Sequence, residues 1–146
     1  MQQIKKIVTF IFLFFLFFSC TEEIVRIDLT KPEQQSISIE CEKHRQVDFY
    51  LDCDIEFKDY PEMVLDFEFY KGNEQLLKGG LDPLNCSSLE NEVKTINNGL
   101  THWKFYGKLE GNFIPPSDTV FTIYPTLIKN NAPDFKIHKL DLVFVR

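Results

Sequence analysis

Eleven consecutive residues, Val47 to Phe57, alternate without a break between apolar and wet positions. Val47, Phe49, Leu51, Cys53, Ile55 and Phe57 share one side, and Asp48, Tyr50, Asp52, Asp54 and Glu56 share the other. Successive side chains of a strand point to opposite faces, so a period of two gathers all six apolar groups on one face. A helix would scatter them around its circumference. The segment therefore reads as a strand with one buried face, and the rest of the chain has to supply a second layer to cover it.

The same period recurs in Val25, Ile27 and Leu29, in Ile37, Ile39 and Cys41, in Met63, Leu65, Phe67 and Phe69, and in Trp103, Phe105, Gly107 and Leu109. Val120 to Tyr124 is β-branched or aromatic on both faces, as a more central strand would be. The last segment places Phe135 and Ile137 on odd positions but Leu140, Leu142 and Phe144 on even ones, and a bulge near His138-Lys139 reconciles the two halves. Leu89, Val93 and Ile96 have helical spacing, with Ser88 as a cap and Gly99 as a stop. The preferred reading is still a strand leading into an Asn98-Gly99 hairpin, because Leu100 to Tyr106 follows at once. Turn signals fall at Lys31-Pro32, Asp59-Tyr60-Pro61, Lys71-Gly72-Asn73, Gly79-Gly80, Asp82-Pro83, Pro115-Pro116 and Asn130-Asn131.

Eight or nine short strands at this spacing predict an all-β sandwich or small barrel. The run Phe67-Glu68-Phe69-Tyr70-Lys71-Gly72-Asn73-Glu74-Gln75-Leu76-Leu77 resembles the strand-turn-strand of bacterial immunoglobulin-like domains. That resemblance supports a sandwich, not a specific family, and the expected fold is a single immunoglobulin-like or transthyretin-like sandwich over residues 24–146. The antibody order of Cys, Trp, Cys is absent, since no cysteine follows Trp103.

The N-terminus has a different layout. Lys5 and Lys6 precede an apolar run from Ile7 to Phe18 that only Thr9 interrupts. A membrane span needs about 20 apolar residues, so this run is short for one and fits an export signal at 1–19. Phe17-Phe18-Ser19-Cys20 resembles a lipobox, with Phe where small or aliphatic residues are usual. The Phe-rich run, this box and the acidic pair Glu22-Glu23 together resemble lipoproteins of the Bacteroidetes type. In that group an acidic stretch after the cysteine accompanies export to the cell surface. The resemblance implies acylation of Cys20, a short lipidated tether at 20–23 and an outer-membrane location, with the outer or periplasmic side left open. The plainer alternative is an ordinary cleaved signal beside an incidental cysteine.

Without Lys5 and Lys6 the chain keeps 14 basic against 22 acidic residues, a formal charge of −8. That balance repels phosphates and argues against nucleic acid as a partner. Cys41, Cys53 and Cys86 have no zinc spacing, and one disulfide among them is left open. No nucleophile elbow, zinc-protease helix motif or phosphate loop occurs, so no enzyme, cofactor or resident metal is expected. His44, His102 and His138 read as surface groups, although two of them could meet.

The wet rows carry the remaining candidates. A simple hairpin of Val47–Phe57 with Met63–Tyr70 would set Asp54 opposite Asp66, Asp52 opposite Glu68 and Tyr50 opposite Tyr70. Like charges directly opposite each other destabilise a sheet. Either the chain crosses between sheets at Tyr60-Pro61, the simpler reading, or the row binds a cation or a basic partner. Tyr50, Tyr60, Tyr70 and Tyr106 add exposed aromatic area suited to protein or glycan contact. The expected function is a lipid-anchored, non-catalytic binding or accessory protein that contacts a protein or glycan. The alternative is an envelope immunity protein that blocks a toxin or hydrolase through an acidic face, and an envelope hydrolase with no recognisable motif is the remotest reading. Replacement of Cys20 by Ser is expected to release the protein from the detergent phase and to change its processing. Unchanged fractionation and processing would defeat the lipobox reading.

Overall fold

Alternation in the sequence becomes alternation of burial in the folded chain. The computed structural model describes residues 21–31 and 36–146. Among them run nine strands: β1 (Glu23–Asp28), β2 (Ile37–Cys41), β3 (Val47–Phe57), β4 (Met63–Lys71), β5 (Glu74–Leu81), β6 (Cys86–Asn97), β7 (Leu100–Phe113), β8 (Thr119–Lys129) and β9 (Lys136–Val145). Every odd position of β3 is buried and every even one half-buried. The strands form two antiparallel sheets, ordered β1-β9-β3-β7-β6 and β2-β8-β4-β5, packed face to face as a β-sandwich. The signal run and Cys20 lie outside the described residues, as does Pro32 of the first expected turn.

β3 and β4 belong to different sheets, so the chain does cross at Tyr60-Pro61 and the two acidic rows never face each other. β9 pairs Lys139 with Asp54 but Ile137 with Ile55, which skips His138 and makes the bulge that its change of parity requires. β6 is a strand, and it turns into β7 through Asn98 (φ 51°) and Gly99 (φ 79°), both in the left-handed region that a tight hairpin needs. β8 lies between β2 and β4, as its two-sided apolar character suggested. Pro125 lies in this strand past the last β2 pair, Ile37 with Ile123, and opposite Phe67 of β4.

Two expectations need correction. Gly79-Gly80 is not a turn but part of β5, opposite Phe67 and Asp66. A Cβ on Gly80 would come within 2.8 Å of Asp66 Oδ1, so the residue marks a close approach. The stretch expected to be a tether also joins the sheet. β1 takes in Glu23, while Glu22 donates its N–H to Arg146 O (2.8 Å) and accepts from Arg146 N (3.0 Å). The three cysteines left open above are free thiols, with Cys41 and Cys53 buried.

Phenylalanines clasp the two sheets. Phe49 of β3 stacks on Phe67 of β4 (ring centres 5.2 Å) and meets Phe69 of β4 at 6.0 Å and Phe144 of β9 edge-on at 5.3 Å. Phe69 stacks on Phe113 of β7 at 4.5 Å, and Phe113 meets Phe121 of β8 at 5.1 Å. Each such pair adds about 0.5–1.5 kcal/mol beyond area burial. Phe49→Ala is expected to cost about 3–5 kcal/mol in urea unfolding. A loss below about 1 kcal/mol would mean that this clasp does not hold the sheets.

Candidate functional site

The wet row of β3 lies on the outer face of the five-stranded sheet, and its neighbours there supply cations. Lys108 of β7 reaches Asp48 at 2.8 Å, and Lys136 of β9 reaches Glu56 at 3.1 Å. Asp54 Oδ1 is 2.6 Å from His102 Nε2, with Lys104 Nζ 3.7 Å from its other oxygen. Asp52 Oδ2 accepts from Arg26 Nη1 at 2.8 Å and from Lys139 Nζ at 2.6 Å. Tyr50 stacks on Tyr106 across the β3–β7 pair, with ring centres 5.2 Å apart.

A like-charge opposition does exist, but within this sheet. Asp52 is paired in register with Asp141 of β9. Arg26 and Lys139 bridge the two: Arg26 Nη1 is 3.4 Å and Lys139 Nζ 3.7 Å from Asp141 Oδ2. Arg26 also holds Glu23 at 2.9 Å. Burial pushes the Asp52 carboxyl up, but hydrogen bonds from Lys139 and Arg26 prevail and hold it below the usual carboxylate range.

Asp66, Glu68 and Tyr70 occupy the outer face of the other sheet, on the far side of the sandwich. Glu68 accepts from Lys78 Nζ at 2.7 Å and from the Tyr70 hydroxyl at 2.9 Å, and these bonds lower its carboxyl. Tyr70 meets Tyr124 edge-on at 5.5 Å, above a shallow hollow that Gly72 and Asn73 complete. Asp66 makes no ion pair among the described residues. The six expected binding residues thus form two separate triplets, and nothing brings Tyr50, Asp52 and Asp54 to Asp66, Glu68 and Tyr70. His102 and His138 do meet, with ring centres 5.8 Å apart, but His102 Nε2 already faces Asp54. Among the described residues no three His, Cys, Asp or Glu side chains converge as metal ligands.

The most exposed apolar strand was not expected. β6 forms one edge of the five-stranded sheet, and all its residues but Cys86 are exposed. Leu89 is 37 %, Val93 57 % and Ile96 72 % exposed. The pairing skips between Glu90 and Val93, where Asn91 has φ 53°. Past this bulge Val93 pairs with Lys104 on the outer face, while Lys94 and Ile96 pair with Trp103 and Thr101 on the inner one. Glu92 accepts from Trp103 Nε1 at 2.8 Å, and Lys94 Nζ lies 4.4 Å over the Trp103 ring. The bulge sets Leu89 and Ile96 on the inner face, opposite Gly107 and Thr101, and Val93 on the outer one, so their helical spacing corresponds to no shared face. The usable signal was the run of polar residues between them, too wet for either face to be buried.

Comparison of the chain with protein-family models, with curated proteins and with solved structures finds no match.

Asp52 supplies a pH test. Its folded-state carboxyl lies below the unfolded value, so its stabilisation is present above about pH 4 and is lost as the pH falls through the folded value. Asp52→Asn is expected to lose about 1–2 kcal/mol at pH 7, toward the low end for bonds to charged groups because both cations are partly exposed. That deficit should shrink at acid pH, as the carboxyl becomes protonated in the folded state too. An equal deficit at neutral and acid pH would show that the ion pairs contribute nothing.

Proposed function

We propose that the protein is a non-catalytic binding or accessory lipoprotein, held at the outer membrane through acyl chains on Cys20, that contacts its partner along the β6 edge. The carrying observation is β6 itself. It is a 12-residue edge strand with exposed Leu89, Val93 and Ile96. An edge strand offers a row of unpaired N–H and C=O groups, a template for another strand. A protein fits this surface better than a glycan does, because a polypeptide supplies the matching ladder of donors and acceptors. The regular part, Val93 to Asn97, lies past the Asn91 bulge and is the part suited to pairing.

The immunity reading calls for uncompensated carboxylates that cover a basic cleft. On β3 the outward carboxylates already have cations from β7, β9 or β1. That lowers the electrostatic pull available to a basic partner.

Photo-crosslinking in cells separates these possibilities. A crosslinker at Val93 is expected to capture a defined partner, and one at Val120 of the other sheet, 46 % exposed, is not. Val93→Lys with Ile96→Lys should abolish the complex and shift stability by no more than about 0.5 kcal/mol each, since both sites are exposed. Equal capture at both positions, or a complex that survives both lysines, would refute the β6 assignment.

A further inference from the structure

We infer that the end of the sandwich carrying Glu22 and Arg146 rests against the phospholipid surface, so that the domain stands upright with the Asn98-Gly99 end farthest from the membrane. The inference rests on the lipid-anchor reading of Cys20. Two residues span at most about 7 Å, so Cys20 stays within that distance of Glu22. Glu22 is not free to swing away, because it exchanges both backbone hydrogen bonds with Arg146. An acyl chain on Cys20 therefore brings this end of the domain to the headgroups rather than letting it hang on a long tether.

Strand register shows what else lies there. Val145 pairs with Glu23 and with Asp48, and Val47 pairs with Phe113. The β2–β3 and β7–β8 loops consequently share this end. Hydrogen bonds lock them to each other: His44 N donates to Pro115 O at 2.9 Å, and Lys43 N donates to Asp118 Oδ1 at 2.6 Å. Lys71 Nζ donates to Ser117 Oγ at 3.1 Å, which brings in the β4–β5 turn. The result is a fixed platform of bonded loops.

Its chemistry suits a headgroup layer. Ile114 is 54 % exposed beside Pro115-Pro116, and Lys43, Arg45 and Lys71 are exposed in the loops and strand ends of the same platform. Several carboxylates at this end are engaged: Glu22 by Arg146, Glu42 by Arg45 and Asp118 by the Lys43 backbone. The opposite end joins the Lys58–Glu62 loop, the Asn98-Gly99 turn and the Asn130–Asp134 loop, where Asp59, Glu62 and Asp134 are all exposed. An exposed apolar tip and cations therefore lie at the anchored end, and carboxylates are exposed at both ends. β7 has 14 residues, about 40 Å of strand, which separates Ile114 from the β6 segment around Ile96.

Lipid-borne quenchers measure this directly. The acylated full-length protein, carrying Trp103→Phe, receives either Ile114→Trp or Ile96→Trp. Each variant is reconstituted in phosphatidylethanolamine–phosphatidylglycerol vesicles containing brominated lipid. The Ile114→Trp signal is expected to fall at least twofold, and the Ile96→Trp signal to stay as it is without bromine. Equal quenching, or stronger quenching at position 96, in protein that floats with the vesicles overturns the orientation and leaves the anchor standing. Protein that does not float, with an N-terminal peptide lacking acyl mass, removes the anchor and this inference with it. Hydrogen exchange of the unsubstituted lipoprotein repeats the test without any core change. Vesicles should slow exchange at Lys43 to Arg45 and around Ile114, and unchanged exchange there refutes the contact.

Discussion

The ring contacts around Phe49 carry the fold. A sheet with one apolar face is stable only when that face is covered, and here the cover is mutual. Phe49, Phe113 and Phe144 of one sheet interleave with Phe67, Phe69 and Phe121 of the other. Large rings span the gap between sheets with few side chains, so a domain of this size can dispense with a disulfide. The free, buried Cys53 fits that picture: burial drives its thiol far above the usual range, and it packs as a small apolar group.

Once the inner faces are committed, the outer faces must hold the charge. On the five-stranded sheet, acidic β3 lies between β7 and β9, which bring Lys104, Lys108, Lys136 and Lys139 to it. Exposed ion pairs are individually weak. Their joint effect is to let strands with charged outer rows lie side by side, Asp52 beside Asp141 included. The acidic composition of the whole chain therefore does not translate into an acidic working surface on this sheet.

Much of the architecture was legible because a period of two is a direct image of burial. β3, the change of parity in β9 and the crossing at Tyr60-Pro61 all follow from which residues must avoid water and which must avoid each other. Gly79-Gly80 was not legible, because a glycine pair signals a turn and a tight approach alike, and only the neighbouring Asp66 distinguishes them. The exposure of β6 was hidden because Leu89, Val93 and Ile96 are spaced as on a helix, although the bulge at Asn91 puts Val93 on the face opposite the other two. The fate of the candidate carboxylates was beyond any local reading. Asp52 finds its cations 26 and 87 positions away along the chain, and register alone brings them together.

The pairing of β1 with β9 also has a mechanical meaning. β1 begins at the Glu22–Arg146 bonds and runs antiparallel to β9 up to Asp28 and Asp141. A pull at Glu22, directed along the strand and away from the body, loads this ladder in shear. Its bonds then share the force in parallel instead of parting one by one as in peeling. A six-residue edge strand can in this way transmit a tug at one end of the molecule into the whole sheet before it tears loose.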